Sequence, residues 1–157
     1  MAEQPLEDGA KENNLLEHPQ ANKIYIASFF NTRQRLRPVR DELWKLGYEI
    51  TSTWLDETAK PHGMNMHEFF RKLAIKDIAE IYRADILIID TIDITPRGGR
   101  EVEFGIGVAS FQNKLLYLVG PKRNVFHELV DMAFEDWETC LWYMKERLKY
   151  NDSNPKV

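Results

Sequence analysis

Four consecutive aliphatic residues, Ile86-Leu87-Ile88-Ile89, form the most apolar short run of the chain, and a carboxylate, Asp90, ends it. A run of that length, flanked by turn signals, reads as a strand buried on both faces, here covering Ala84 to Asp90. A glycine-bearing loop follows from Thr91 to Gly99, and a helix is expected over about Arg100 to Gln112. The segment Arg97-Gly98-Gly99-Arg100-Glu101-Val102-Glu103-Phe104-Gly105 therefore spans a strand-end loop and the first turn of a helix. Helix starts offer unpaired backbone N–H groups and the positive end of the dipole. A carboxylate placed there stays ionised near neutral pH and can act as nucleophile or ion-pair partner. The competing reading is that Glu101 and Glu103 only complement the dipole.

The rest of the chain alternates in the same way. Lys23-Ile24-Tyr25-Ile26-Ala27-Ser28-Phe29 is a near-continuous apolar strand. After a turn at Phe29 to Thr32, a helix runs to about Leu46 and Gly47 ends it. Asn31 and Thr32 are its candidate caps, and Pro38 implies a kink or the true helix start. Tyr48 to Trp54 is rich in β-formers and reads as a second strand. Residues 56–65 form a loop long enough to cover a pocket. A helix from about Met66 to Tyr82 has Phe69, Phe70, Leu73, Ile78 and Ile81 on an apolar side. Leu115 to Val119 is a fourth strand and Val130 to Phe134 a short fifth. Asp136 to Lys149 is a final helix whose stripe of Trp137, Leu141, Met144 and Leu148 suits the core or a subunit interface. In the helix after Gly99, Gly105, Gly107 and Ala109 suit a backbone lying close to the sheet or a ligand.

Alternation of this kind predicts one α/β domain, a flavodoxin-like or Rossmann-like doubly wound fold. Its five-stranded parallel sheet has helices on both faces and right-handed crossovers. Ligands then bind beyond the carboxyl ends of the strands. Tyr25 to Asn31, Trp54 to Glu57, Asp90 to Glu103 and Gly120 to Asn124 gather there. The domain is expected over residues 23–150, with a polar end over 151–157. Residues 1–22 carry five acids against one Lys11 and read as a flexible tail. That tail holds the whole net charge of −4, so the folded part is neutral and lacks the basic excess of a nucleic-acid-coating surface. No apolar run is long enough to span a membrane. The single Cys140 excludes an internal disulfide, and the expected compartment is the reducing cytosol.

Other site chemistries find little support. There is no GxxxxGK[ST] loop and no GxSxG elbow. The four histidines, His18, His62, His67 and His127, lack paired metal-ligand spacing, so no metal is expected. Cys140 reads as a core thiol. The helix after the first strand carries Arg33, Arg35, Arg37 and Arg40, either as a solvated basic face or, at Arg33, as an anion site. Several carboxylates remain near the predicted pocket: Asp77, Asp90, Asp93, Glu101 and Glu103. Such a cluster suits glycosidic bond cleavage, where one carboxylate meets the cationic anomeric carbon and another handles a proton. Magnesium binding is the competing use of the same groups.

At these residues the sequence resembles the nucleoside 2-deoxyribosyltransferase family and its relatives, the nucleotide N-hydrolases. The resemblance covers roughly residues 23–140. It rests on Ile24-Tyr25-Ile26-Ala27-Ser28, on Asp77-Ile78 followed by Ala84-Asp85-Ile86, and above all on Gly99-Arg100-Glu101-Val102-Glu103-Phe104-Gly105. Lys114 and Val119-Gly120-Pro121-Lys122-Arg123-Asn124-Val125-Phe126-His127 extend it toward a bacterial and phage branch described as deoxyribosyltransferase-like.

The resemblance implies that Glu103 is the nucleophile forming a covalent glycosyl-enzyme. Asp77 would hydrogen-bond the sugar and support the nucleophile, and Tyr25 would orient the glutamate. Asn124 falls near an asparagine that some members lend to a neighbouring subunit. Homodimers or higher homo-oligomers are implied, and no cofactor. Where transferases often carry an aspartate six residues before the nucleophile, this chain has Arg97. With Gly98, Gly99 and Arg100 it can cradle a 5′-phosphate, which tilts the reading toward a nucleotide; pairing with Asp93 or Glu101 is the alternative. Asn31 also replaces a common first-strand aspartate, which weighs against nucleoside-to-base transfer. Phe29 and Trp54 are candidates to stack on the base or to serve as core aromatics. Ser28 and Asp93 complete the expected substrate contacts. The expected activity is cleavage of the N-glycosidic bond of a (deoxy)nucleoside or its monophosphate, with the sugar passed to a base or to water. A non-catalytic nucleotide sensor and an NAD-type glycohydrolase are the alternatives.

Overall fold

A computed structural model of the chain describes residues 21–58, 61–93, 105, 106, 109 and 112–153. Five strands form one sheet: β1 (Lys23–Ala27), β2 (Glu49–Ile50), β3 (Ile86–Asp90), β4 (Leu115–Val119) and β5 (Met132–Phe134). Their spatial order is β2-β1-β3-β4-β5, and every neighbouring pair is parallel. This is the doubly wound α/β architecture expected from the alternation, with the strand order reversing between β1 and β3. Three helices are described in full: α1 (Arg33–Lys45), α2 (Met66–Arg83) and α3 (Trp137–Ser153). Gly105, Ile106 and Ala109 are also helical and buried.

Residue parity along β3 assigns the faces, because successive side chains of a strand point to opposite sides. Asp90 is held by Arg35 of α1 and Trp137 of α3, so Ile86, Ile88 and Asp90 face those two helices. Tyr117, beside Ile88 in register, meets Tyr143 of α3 edge-on at 5.9 Å. Leu87, beside Tyr25 in register, faces the other way, toward α2. A Cβ on Gly105 would meet Ile81 Cδ1 of α2 and Leu87 Cδ2, both at 3.7 Å. Gly105 therefore lies beside the sheet on this α2 side, where a Cβ would make ordinary van der Waals contact.

β1, β3 and β4 appear where continuous apolar runs place them, with Ile24, Ile26, Ile86 to Ile89 and Tyr117 to Val119 fully buried. The second strand is shorter than the expected Tyr48 to Trp54. Beyond Ile50 the side chains of Thr51 and Ser52 take over. Thr51 Oγ1 donates to Glu80 O at 3.0 Å, and Ser52 Oγ accepts from Ile26 N at 3.1 Å. Hydroxyls that bond to neighbouring backbone compete with a ladder, and the chain turns into a 3-10 helix at Thr53–Asp56. Gly47 ends α1 at φ 106°, as expected, while Pro38 sits inside the helix. α3 runs four residues past its expected end at Lys149.

The apolar side of α2 is not covered as its periodicity implies. Only Glu80 and Ile81 are buried; Phe69 and Leu73 are half-buried, and Phe70 and Ile78 are exposed. The stripe of α3 belongs to the core: Trp137 and Met144 are buried, and Leu141 and Leu148 pack against them. Cys140 is fully buried, and burial pushes its thiol up to about 12. Ala21 is also buried and its carbonyl accepts from Arg147 at 2.7 Å, so the packed chain begins slightly earlier than residue 23. No helix among the described residues is long and apolar enough to cross a membrane.

Candidate active site at the carboxyl edge of the sheet

The carboxyl ends of β1 and β3 are tied together at the point where strand order reverses. Ser28, just past β1, donates from Oγ to Asp90 O at 3.0 Å. Asp90 is fully buried and accepts from four donors. Arg35 binds it through both terminal nitrogens at 2.9 and 3.0 Å, Ile92 N donates at 3.1 Å, and Trp137 Nε1 donates at 2.6 Å. A charge removed from water needs such full pairing. Arg35 also donates from Nε to Asp93 at 2.9 Å. Asp90 is therefore committed to holding α1, β3 and α3 together, and it fixes where the loop after β3 departs.

That loop is fastened to the next one. Thr91 Oγ1 donates to Pro121 O at 2.7 Å, and Arg123 donates to Thr91 O and Ile92 O at 2.8 and 3.0 Å. Gly120, at φ +114°, permits the approach: a Cβ there would lie 2.7 Å from Thr91 Oγ1. Asn124 caps the 3-10 helix Val125–Leu129 by accepting from Phe126 N, and the buried His127 accepts from Arg123 N at its Nδ1.

On the α2 side stands a pair of ionisable groups. Tyr25 is buried in β1, and burial, then Asp77 and Glu80, push its hydroxyl far above its usual value, so it remains a neutral phenol. Asp77 is half-buried, and its Oδ1 has no hydrogen-bond partner among the described residues. Burial first, then the charge of Glu80, push its carboxyl up to about 6, against a smaller opposite pull from Lys76. A partly desolvated carboxyl without a donor, beside a neutral phenol, can accept or donate a hydrogen bond to a polar ligand.

The structure thus brings Asp77 and Tyr25 together. Ser28 and Asp93 lie at the same strand ends, bonded to Asp90 O and Arg35. Phe29 is half-buried at the end of β1. Trp54 is buried, and its indole donates to Ile26 O at 2.7 Å, bracing the 3-10 helix against β1. Glu103, Arg97, Gly98, Gly99 and Arg100, with Glu101, lie outside the described residues. The arginines of α1 are largely absorbed by the fold. Arg37 donates to Leu55 O at 2.7 Å, Arg40 pairs with Asp56 at 2.7 Å, and Arg33 stacks on Phe30 at 4.1 Å. No group of His, Cys, Asp or Glu among the described residues has the spacing to hold a metal ion. Sequence reasoning missed Glu80, a buried carboxylate one turn beyond Asp77. An acid within a helix reads by default as solvent-facing, so the sequence carried no signal for it.

No protein-family model matches the chain, and no curated protein matches it in sequence. Solved structures do match in fold. A 2-deoxyribosyltransferase from the psychrotolerant bacterium Bacillus psychrosaccharolyticus aligns with a TM-score of 0.61 at 19% identity, covering 76% of this chain and 90% of that one. A CMP N-glycosidase from Clostridium botulinum aligns at 0.51 and 15% identity, covering 79% and 98%. A conserved protein from Enterococcus faecalis aligns at 0.56 and 13% identity, covering 81% and 99%. The chain shares the fold of these structures, which is the fold that its sequence resemblance implies.

Proposed function

We propose that this chain is a member of the nucleoside 2-deoxyribosyltransferase-like family and cleaves the N-glycosidic bond of a (deoxy)nucleoside or its 5′-monophosphate. The carboxylate of Glu103 attacks the anomeric carbon, the bond to the base breaks, and its electron pair leaves with the base. The sugar is held on Glu103 until water or a second base displaces the glutamate. Asp77 hydrogen-bonds the sugar and Tyr25 orients the attacking carboxylate.

The observation that carries this reading is the position of Gly105. It packs against Ile81 and Leu87. Ile81 lies one turn from Asp77 on α2, and Leu87 is the register neighbour of Tyr25. Glu103 lies two positions before Gly105 in the sequence, and the reading assigns it to the side of the sheet that carries Asp77 and Tyr25. The fold shared with a deoxyribosyltransferase and a CMP N-glycosidase supports the same reaction class. Arg97, Gly98, Gly99 and Arg100 form the proposed cradle for a 5′-phosphate, with guanidinium and backbone N–H groups as donors. Ser28, Phe29, Trp54, Asp93 and Asn124 are the remaining proposed contacts.

The chain is further proposed to form homo-oligomers. Met66, Phe70, Ala74, Ile78 and Tyr82 recur every four residues along α2 and are all exposed. A ridge of that spacing packs into the grooves of another helix.

The test is incubation with a panel of nucleosides, 5′-monophosphates and NAD, with and without an acceptor base, followed by chromatography of free bases. Base release from monophosphates supports the hydrolase, and base exchange supports the transferase. Nicotinamide release from NAD alone would favour a glycohydrolase. Nucleotide binding without turnover would favour a sensor.

A further inference from the structure

Two carboxylates of α2 lie three residues apart, hence on neighbouring positions of one helix side, with unequal surroundings. Glu80 is 2% exposed. Its carboxylate accepts from Thr53 N at 3.1 Å and from Thr53 Oγ1, and no cation pairs with it among the described residues. Its main-chain oxygen accepts from Thr51 Oγ1 at 3.0 Å, which fixes the end of the helix against the strand. Asp77 has no such anchor among the described residues, where its buried Oδ1 is unpartnered. Among the described residues, the titratable groups facing Asp77 are Tyr25 from β1 and Lys76 and Glu80 from α2. Lys76 is itself paired with Glu57.

We propose that Glu80 is a positioning residue for Asp77, its anchored charge favouring the neutral, hydrogen-bond-donating form of that side chain. Two close carboxylates in a partly dry site do not both ionise freely. Thr53 N and Oγ1 anchor the Glu80 side chain, whereas Asp77 Oδ1 has no hydrogen-bond partner among the described residues, and the Asp77 carboxyl is pushed up to about 6. A neutral Asp77 donates to a sugar oxygen and does not oppose the negative charge of a neighbouring nucleophile. This role rests on the reading of Asp77 as part of the sugar site.

Carboxyl carbon NMR of the full chain, with Asp77→Asn to assign the signal, reads the proton directly. In the wild type the Asp77 midpoint is expected at about 6. In Glu80→Gln it moves down toward the ordinary carboxylate value, and in Thr53→Val, which removes one anchor of Glu80 at an exposed position, it moves down less. A wild-type midpoint in the ordinary range, or one unmoved by Glu80→Gln, overturns the proposal. Should Glu80→Gln fail to fold, Thr53→Val decides in the same way. The pH profile of kcat/KM for base release gives the second readout. Its limb near pH 6 should follow the NMR midpoint downward in the variants, and a limb that stays in place overturns the role of the Asp77 proton in the reaction. If the wild type releases no base from any substrate, the functional reading falls, while the NMR still decides the link between Glu80 and Asp77.

Discussion

Asp77 is a side chain whose burial works against the stability of the fold. Its carboxyl is raised to about 6 from an ordinary 3.8, chiefly by burial and then by Glu80. The folded chain therefore holds a proton there that the unfolded chain has released between about pH 4 and 6. Where the native state binds more protons, stability falls as pH rises. The penalty is absent below about pH 4, grows through pH 6 and is constant above it. Such a displacement corresponds to at most about 3 kcal/mol, and partial exposure of the side chain reduces it to about 1 kcal/mol. Asp77→Asn should accordingly be more stable than the wild type by about 1 kcal/mol at pH 7.5, and equal to it at pH 4, in urea unfolding followed by circular dichroism. A wild type that is the more stable at pH 7.5 would contradict the assignment. The candidate site was partly legible at this scale. The resemblance picked Tyr25 and Asp77, and the structure brings them together. Glu80 was not legible, because an acid in a helix reads by default as a solvent-facing residue. Only the contact with Thr53 reveals it as buried.

At the scale of elements, the carboxyl edge is built from loops locked to one another. Continuous aliphatic runs made β1, β3 and β4 readable from sequence, since a strand buried on both faces tolerates little else. The shortened β2 was not readable, because Thr51 has strand propensity, yet it and Ser52 commit their hydroxyls to Glu80 O and Ile26 N. Side-chain partners of that kind are invisible to periodicity. The loop after β4 depends on Gly120, whose φ of +114° and closeness to Thr91 leave no room for a side chain. Gly120→Ala is expected to cost about 2 kcal/mol of stability from backbone strain alone, measurable in denaturant unfolding. It should also push Thr91 and Ile92 away, and with them the start of the segment leading to Glu103. An unaltered unfolding midpoint would show that the two loops are not coupled as described.

Taken as a whole molecule, the sheet is well covered, but one surface of α2 is not. Its periodicity is correct for a buried helix, and the described chain leaves Phe70 and Tyr82 57% and 67% exposed. A second copy is the proposed cover, consistent with the oligomers that the family resemblance implies. Sedimentation velocity at micromolar concentration should show an oligomer for the wild type. The double variant Phe70→Lys, Ile78→Lys should sediment as a monomer while retaining its circular dichroism. A monomeric wild type would leave the ridge without its proposed partner. The central claim, that a glutamate of this chain carries a sugar between base and acceptor, is tested most directly by base release in wild type and Glu103→Ala side by side. Purified protein is incubated with the four deoxynucleosides and their 5′-monophosphates, and free base is quantified by chromatography. The account predicts release by the wild type from at least one of these substrates and a loss of at least about a thousandfold in Glu103→Ala, as expected when a covalent nucleophile is removed. Equal release by the two proteins, or none by the wild type from any substrate, would contradict it.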